Sequence, residues 1–139
     1  MDKRKVLSYL NDIVSKNTLM ETLQIKFTEI GEDFLVAQMP VNSRVHQPMG
    51  LLHGGATVAL AESVGSSASA MSVDLEKFSV KGIEISANHL KSVQEGIITA
   101  TARIIHKGRT THLWEIKVTD EQDNLVSICK LTNIVLPKK

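Results

Sequence analysis

The chain has 139 residues, of which 42% are hydrophobic and 22% are charged, and its formal net charge is +1. This length and composition predict one globular domain spanning residues 1–139 and leave no room for two. Sixteen basic against fifteen acidic side chains provide no excess of positive charge for binding nucleic acid. Aromatic residues make up only 4% of the chain, so few large side chains are available to enclose a pocket.

The single cysteine, Cys129, excludes an internal disulfide, and the first residues lack the apolar run of a secretory signal. No stretch approaches the roughly 18 consecutive apolar residues of a membrane helix. We therefore expect a cytoplasmic protein with neither a membrane nor a nucleic acid as its partner.

Residues 5–20 carry apolar side chains at the spacing of a short amphipathic helix. From Leu23 the apolar residues alternate with polar ones, which predicts a β-hairpin with its turn at residues 31–33. The second strand is expected to end at Pro40. The segment 41–50, which contains proline and glycine, is expected to be a loop.

Residues 56–71, ATVALAESVGSSASAM, are rich in alanine and free of proline, which predicts a helix of about four turns. Small or apolar residues lie on nearly every face of this helix. It is therefore expected to be buried, with a sheet packed close to its backbone.

The rest of the chain alternates as four strands, near residues 83–89, 97–106, 112–118 and 125–136, separated by tight turns. Short turns join antiparallel strands, whereas parallel strands need long crossovers. The order helix, two strands, helix, four strands predicts an α+β fold in which an antiparallel sheet wraps around the central helix.

Glu62 is the only charged residue of the predicted central helix. A carboxylate in a buried helix loses its water and needs partners, unless the helix leaves one side open to solvent or to a lysine. Ser66, four residues later, shares the face of Glu62 and could hold either the carboxylate or a water beside it.

The residues before the helix add further polar groups. The pair Gly54 and Gly55 permits unusual backbone geometry, and the first N–H groups of a helix can bind an oxyanion. The two glycines could equally form a flexible junction only, His53 could be structural, and Gln47 could be a surface residue. Together, an amide, an imidazole, a glycine N–H and a carboxylate are the groups that an acyl-transfer site needs.

The segment 41–66, VNSRVHQPMGLLHGGATVALAESVGS, resembles hotdog-fold acyl-CoA thioesterases of the 4-hydroxybenzoyl-CoA and phenylacetate-degradation type. The combination of QPMGLLHGG with ALAES carries the resemblance, which extends over about residues 23–136. The segment GIEISANHLKS at 82–92 and the strand with Trp114 place the chain near two branches. One acts on 1,4-dihydroxy-2-naphthoyl-CoA in menaquinone biosynthesis, and the other clears misloaded aryl carrier protein in enterobactin synthesis.

The resemblance implies a role for each matching residue. Glu62 matches the catalytic carboxylate, which acts as a nucleophile or as a general base on water. The backbone N–H of Gly54 matches the oxyanion donor. Gln47 and His53 match residues that orient the thioester, and Ser66 matches a hydroxyl that assists the carboxylate or its water. No cofactor is implied, because coenzyme A is part of the substrate.

The same resemblance implies a coenzyme A channel lined by Gly82, by His89, Leu90, Lys91 and Ser92, and by the turn His106, Lys107, Gly108, Arg109, Thr110 and Thr111. The members of the family that it resembles most have the basic residue of this turn one position after Arg109, so it stays open which side chain meets the phosphates. Hotdog subunits pair their sheets edge to edge, usually as a dimer of dimers. Glu62 of one chain then faces the Gln47 to Gly54 loop of another.

Several alternatives stay open at this point. A module that binds acyl-CoA without hydrolysing it would need the channel but not the carboxylate. A thioesterase acting on an acyl carrier protein would need the same residues as one acting on acyl-CoA. The five histidines lack the spacing of a metal site, so no metal is expected. A dihydroxynaphthoyl or similar aryl group is the first choice for the acyl part, and medium acyl chains are the second.

Overall fold

A computed structural model of the protein describes residues 2–139. Its helices and strands are α1 (Lys3–Tyr9), α2 (Leu19–Thr22), β1 (Lys26–Ile30), β2 (Phe34–Val41), α3 (Gly54–Met71), β3 (Phe78–His89), β4 (Gly96–Lys107), β5 (Thr111–Thr119) and β6 (Leu125–Pro137).

The N-terminal helix is interrupted, in contrast to the single helix predicted over residues 5–20. α1 continues as one π-helical turn, Leu10–Val14, and the chain then breaks at Asn17, whose φ is +62°. Thr18 restarts the helix by accepting a hydrogen bond from the N–H of Met20. After this break, Leu19 and Met20 of α2 line a cavity whose other wall is the middle of α3.

All strand pairs are antiparallel, and the six strands lie in the order β1-β2-β4-β5-β6-β3. The predicted α+β architecture is therefore confirmed. The expected end of the second strand at Pro40 is wrong, because β2 continues to Val41 and Pro40 pairs with Ile97 of β4. Strand β1 begins opposite Gln38, so it does not reach Pro40, and no strand on that side needs the N–H that proline lacks.

Helix α3 packs across one face of this sheet and contacts β2, β3, β4, β5 and β6. Leu60, Ala61 and Val64 are fully buried between the helix and the sheet. A β-carbon on Gly65 would lie 2.6 Å from Cδ2 of Leu131, so glycine there allows the sheet to approach closely. The predicted central helix is thus confirmed, and it begins two residues earlier than expected, at Gly54.

Strand β3 forms one edge of the sheet, and β6 is its only hydrogen-bonded strand within residues 2–139. It is 12 residues long, and its register shifts between Gly82 and Glu84. Ile83 on this edge is 60% exposed. A long edge strand with an apolar side chain is a surface on which another strand can pair. No helix within residues 2–139 is both long and apolar enough to cross a membrane.

Candidate active site

His53 caps the N-terminus of α3. Its Nδ1 accepts a hydrogen bond from the N–H of Gly55 at 2.8 Å, so a neutral ring carries its hydrogen on Nε2. A β-carbon on Gly55 would lie 2.9 Å from this ring, which explains the glycine. As the first residue of α3, Gly54 has an N–H with no partner inside the helix. The structure therefore assigns His53 a capping role and leaves the Gly54 N–H available for a ligand.

A cavity of about 260 Å³ lies beside this N-terminus. It brings together six of the predicted site residues, Gln47, Gly54, His89, Leu90, Lys91 and Ser92. The Oε1 atom of Gln47 accepts a hydrogen bond from the N–H of Met49, which leaves its amide hydrogens to donate elsewhere. The ring of His89 lies against Gly54, and its Nδ1 is 2.7 Å from the hydroxyl of Ser127.

Lys91 in this cavity is paired with Asp120, in the turn that joins β5 to β6. The hydrogen bond from Lys91 holds the pKa of the Asp120 carboxyl well below its usual range. Asp120 also accepts hydrogen bonds from the backbone N–H groups of Gln122 and Asn124. Lys91 thus both lines this cavity and is tied to a structural turn, and the role in coenzyme A binding that the resemblance implies for it stays a prediction.

Glu62 and Ser66 line a second cavity, of about 590 Å³, between α3 and the short helix α2. Its other lining residues are Thr18, Leu19, Met20, Gly55, Val58, Ala59, Ser63 and Ser67. Glu62 is half-buried, and the ion pairs found among residues 2–139 do not include it. The structure therefore does not show the alternative in which Glu62 forms an ion pair with a lysine. The carboxylate instead stands on the wall of an open cavity.

Gly82 of β3 lies directly against Glu62. A β-carbon on Gly82 would be 2.8 Å from Oε2 of Glu62 and 3.5 Å from Oδ1 of Asn133. The resemblance implies a place for Gly82 in the coenzyme A channel, which stays a prediction, and the structure shows that Gly82 also provides the space that the carboxylate occupies. Its role beside the carboxylate was missed, because nothing in the sequence pairs residue 62 with residue 82.

A buried polar cluster lies under α3, next to this carboxylate. Three nitrogen atoms approach the hydroxyl of Ser69: Nε1 of Trp114 at 2.7 Å, Nδ2 of Asn133 at 2.8 Å and Nδ1 of His112 at 2.9 Å. The Trp114 and Asn133 nitrogens donate and fill both lone pairs of the hydroxyl. The hydroxyl hydrogen of Ser69 must then be donated to Nδ1 of His112. Because Nδ1 accepts, the imidazole ring of His112 is neutral and carries its hydrogen on Nε2.

Burial favours the same state of His112, which is only 2% exposed. Desolvation lowers the pKa of His112, and the nearby charges of Lys107 and His106 lower it further. Sequence reasoning missed Ser69 and Asn133 as members of this cluster. The signal for Asn133 was its place in an alternating row of inward-facing residues on the last strand.

One chain does not bring the two halves of the predicted site together. Gly54 and Glu62 are eight positions apart on α3, about 12 Å along the helix axis. They contact different parts of β3, namely His89 and Gly82. A single thioester carbonyl therefore does not reach both the Gly54 N–H and the Glu62 carboxylate within one chain.

The two predicted coenzyme A segments are also separated. The turn after β4 lies at the same end of the sheet as Lys81 of β3, because Thr111 and Lys81 both pair with Ile134 of the intervening strand β6. Lys81 and His89 are eight positions apart, about 26 Å along a strand. Residues 106–111 and residues 89–92 thus lie at opposite ends of the sheet in one chain.

Comparison with known proteins identifies the class. The family model described as the Thioesterase superfamily matches residues 49–127. The chain is 45% identical to the 1,4-dihydroxy-2-naphthoyl-CoA hydrolase of Listeria monocytogenes over 121 residues, 87% of this chain and 98% of that protein. It is 40% identical to the Escherichia coli hydrolase of the same name over 134 residues, 96% of this chain and 98% of that protein.

Solved structures agree with this assignment. A mutant thioesterase from Pseudomonas aeruginosa superposes with a TM-score of 0.90 at 42% identity, covering 99% of this chain and 96% of that one. A thioesterase from Haemophilus influenzae superposes with a TM-score of 0.89 at 40% identity, covering 94% of this chain and 90% of that one. Fold and sequence together define a thioester hydrolase with the hotdog fold. The chain belongs to the Thioesterase superfamily.

Proposed function

We propose that the protein hydrolyses aryl-CoA thioesters, 1,4-dihydroxy-2-naphthoyl-CoA first among them, to the free acid and coenzyme A. The observation that carries the proposal is the position of Glu62, the only charged residue of α3, on the wall of an open cavity. The names of the Listeria and Escherichia coli relatives support the choice of acyl group.

The reaction needs an electrophilic carbonyl and a base or nucleophile. The N–H of Gly54 polarises the thioester carbonyl at the positive end of the α3 dipole and stabilises the developing oxyanion. Glu62 either attacks the carbonyl carbon or removes a proton from the water that does so. A thiol with a pKa near ~8.5 leaves as the thiolate, so no strong general acid is required.

The cavity beside Glu62 suits the acyl end of the substrate. Leu19 and Met20 from α2 and Val58 and Ala59 from α3 form apolar walls of this space of about 590 Å³. An aromatic acyl group fits such a mixed wall, because serine hydroxyls on the same helix face can meet its polar substituents. Medium acyl chains are the second choice.

The thioester is held between two chains. The Gly54 N–H and the Glu62 carboxylate are too far apart to act on one carbonyl within a chain, and β3 leaves a long edge free for pairing. Pairing through this edge lets Glu62 of one chain meet the Gln47 to Gly54 loop of its partner. The assembly is a homo-oligomer, a dimer of such dimers, and coenzyme A enters as part of the substrate, with no cofactor.

Thiol release from a panel of aryl-CoA and aliphatic acyl-CoA thioesters tests this function. Wild type should release thiol, and Glu62→Gln should lose at least about 100-fold in kcat while remaining folded. Glu29→Gln, an exposed residue of β1, is the matched control and should behave as wild type. Tight binding of acyl-CoA without release from any panel member would favour the non-catalytic binding module. Hydrolysis only of acyl carrier protein would favour the carrier-protein alternative.

A further inference from the structure

Asn133 of β6 is fully buried between the Ser69 cluster and the Glu62 carboxylate. Its side-chain amide has one nitrogen and one oxygen, which are distinguished by their partners. One end lies 3.2 Å from the carbonyl oxygen of Gly65, which can only accept, so this end is the Nδ2 donor. The same nitrogen donates to the Ser69 hydroxyl at 2.8 Å. The amide therefore cannot flip without losing two hydrogen bonds.

The fixed amide determines what Ser66 can do. Oδ1 of Asn133 faces the hydroxyl of Ser66 at 3.5 Å, and a carbonyl-type oxygen can only accept. The Ser66 hydroxyl is therefore the donor in this contact, which at 3.5 Å is a long and weak hydrogen bond. A hydrogen that Ser66 gives to Asn133 is not available to an ionised Glu62, which also only accepts. What Ser66 offers to the Glu62 cavity is an acceptor lone pair.

We propose that Asn133 is a positioning residue that makes Ser66 an acceptor for the attacking water. The water gives one hydrogen to Ser66 and the other to Glu62, so that Glu62 acts as the general base. This inference rests on the proposed function and selects one of its two routes.

The water oxygen bonds to the thioester carbon while its proton passes to Glu62. On collapse the carbon–sulfur bond breaks, and its electron pair stays on sulfur. Glu62 then passes the proton to the thiolate or to solvent, and the new carboxylic acid loses its remaining proton to solvent.

A double-mutant cycle on Ser66 and Asn133 tests the coupling. Asn133→Ala should lower kcat about 5- to 10-fold with little change in KM, the effect of one lost hydrogen bond. In a Ser66→Ala background the same substitution should change kcat less than about 2-fold, because the hydroxyl through which Asn133 acts is absent. An equal loss in both backgrounds, or no loss in the wild-type background, overturns the proposal.

Two further variants separate this role from a structural one. Val118→Ala, a core truncation on β5 remote from the cluster, should lower thermal stability without lowering kcat. Ser69→Ala removes one of the two hydrogen bonds that the Asn133 amide donates but leaves Asn133 itself unchanged. It replaces Asn133→Ala in this test if that variant does not fold. Ser69→Ala should lower kcat when Ser66 is present but not when it is added to Ser66→Ala. A loss of kcat of the same size in both backgrounds overturns the proposal.

Isotope labelling tests the route directly. In a single turnover with enzyme in excess in H₂¹⁸O, a general base gives an acid product that contains ¹⁸O from the first turnover, and rapid quenching finds no acyl group on the Glu62 peptide. Unlabelled product, ¹⁸O in the Glu62 peptide, or an acyl group trapped on Glu62 overturns the general-base assignment.

The amide itself is tested without catalysis. The two Nδ2 hydrogens of Asn133 should exchange slowly in ¹⁵N NMR spectra and faster in Ser69→Ala. Slow exchange in a protein that hydrolyses no thioester would mean that the proposed function fails while the amide geometry holds. Fast exchange in the wild type overturns the geometry.

Discussion

The carboxylate of Glu62 on α3 fills the space that a side chain on Gly82 of β3 would occupy. A β-carbon on Gly82 would lie 2.8 Å from Oε2 of Glu62. Because β3 is the free edge of the sheet, the carboxylate stands next to the surface on which a second chain would pair. Gly82 therefore links the position of the Glu62 carboxylate to the geometry of the edge strand β3.

Gly82→Ala is expected to displace the carboxylate without unfolding the chain. Gly82 is exposed and its φ is not positive, so alanine suits its backbone, and the clash is with a side chain. We expect kcat to fall about 10- to 100-fold, since small misplacements of reacting groups are costly. Ser86→Ala, another exposed residue of β3, should retain activity. Thiol-release kinetics and thermal unfolding of both variants check this, and full activity in Gly82→Ala would contradict it.

Acid should destabilise the fold through His112. In the folded chain burial lowers the pKa of His112 below its ordinary value of 6.5, so the unfolded chain binds the proton first. This contribution to stability is complete above pH 6.5 and is lost as the pH falls below it. Urea unfolding should show a free energy of unfolding that decreases from pH 7.5 to 5, and less steeply in His112→Asn. Identical slopes in the two proteins would show that His112 is not the group responsible.

Arg109 is expected to contribute more to coenzyme A binding than Lys91. Lys91 is already paired with Asp120, whereas the ion pairs found within residues 2–139 do not include Arg109. Arg109→Ala should raise KM for acyl-CoA up to about fivefold, the worth of an exposed ion pair of about 1 kcal/mol. It should leave KM for the matching acyl-pantetheine, which lacks the nucleotide phosphates, unchanged. A larger effect of Lys91→Ala than of Arg109→Ala would reverse this assignment.

Cys129 should be inert in the native protein. It is 1% exposed, and burial raises the pKa of its thiol to about 11, so the reactive thiolate is scarce at neutral pH. Ellman's reagent at pH 8 should detect no protein thiol in the folded chain and one thiol per chain in guanidinium chloride. Rapid reaction of the folded protein would contradict the burial of Cys129 and would add a background to thiol-release assays.

The elements of this fold were predictable because their signals are local. The small-residue segment that ends at Met71 and the strands after it followed from apolar periodicity and turn residues. Two elements differ from the prediction. Pro40 stays within β2 because β1 begins opposite Gln38 and does not reach it, and the N-terminal helix breaks at Asn17, whose φ is positive.

The site was only partly predictable. Glu62 was identifiable as a charge in an apolar helix, and the loop residue Gln47 was identified with Gly54 through the family motif. The contact of Glu62 with Gly82 and the hold of Asn133 on Ser66 join residues far apart in sequence. Such contacts depend on strand order and register, which hydrophobic periodicity does not specify.

The most direct test of a Glu62 site shared between chains is complementation between two inactive variants. Glu62→Ala and Gln47→Ala chains, denatured together in equal amounts and refolded, should regain about a quarter of wild-type thiol release. Half of the pairs are then mixed, and each mixed pair regains one of its two sites. If Glu62 and Gln47 served the same site from one chain, every site would keep a lesion. The mixture would then show no more activity than the two variants alone, which would contradict the account.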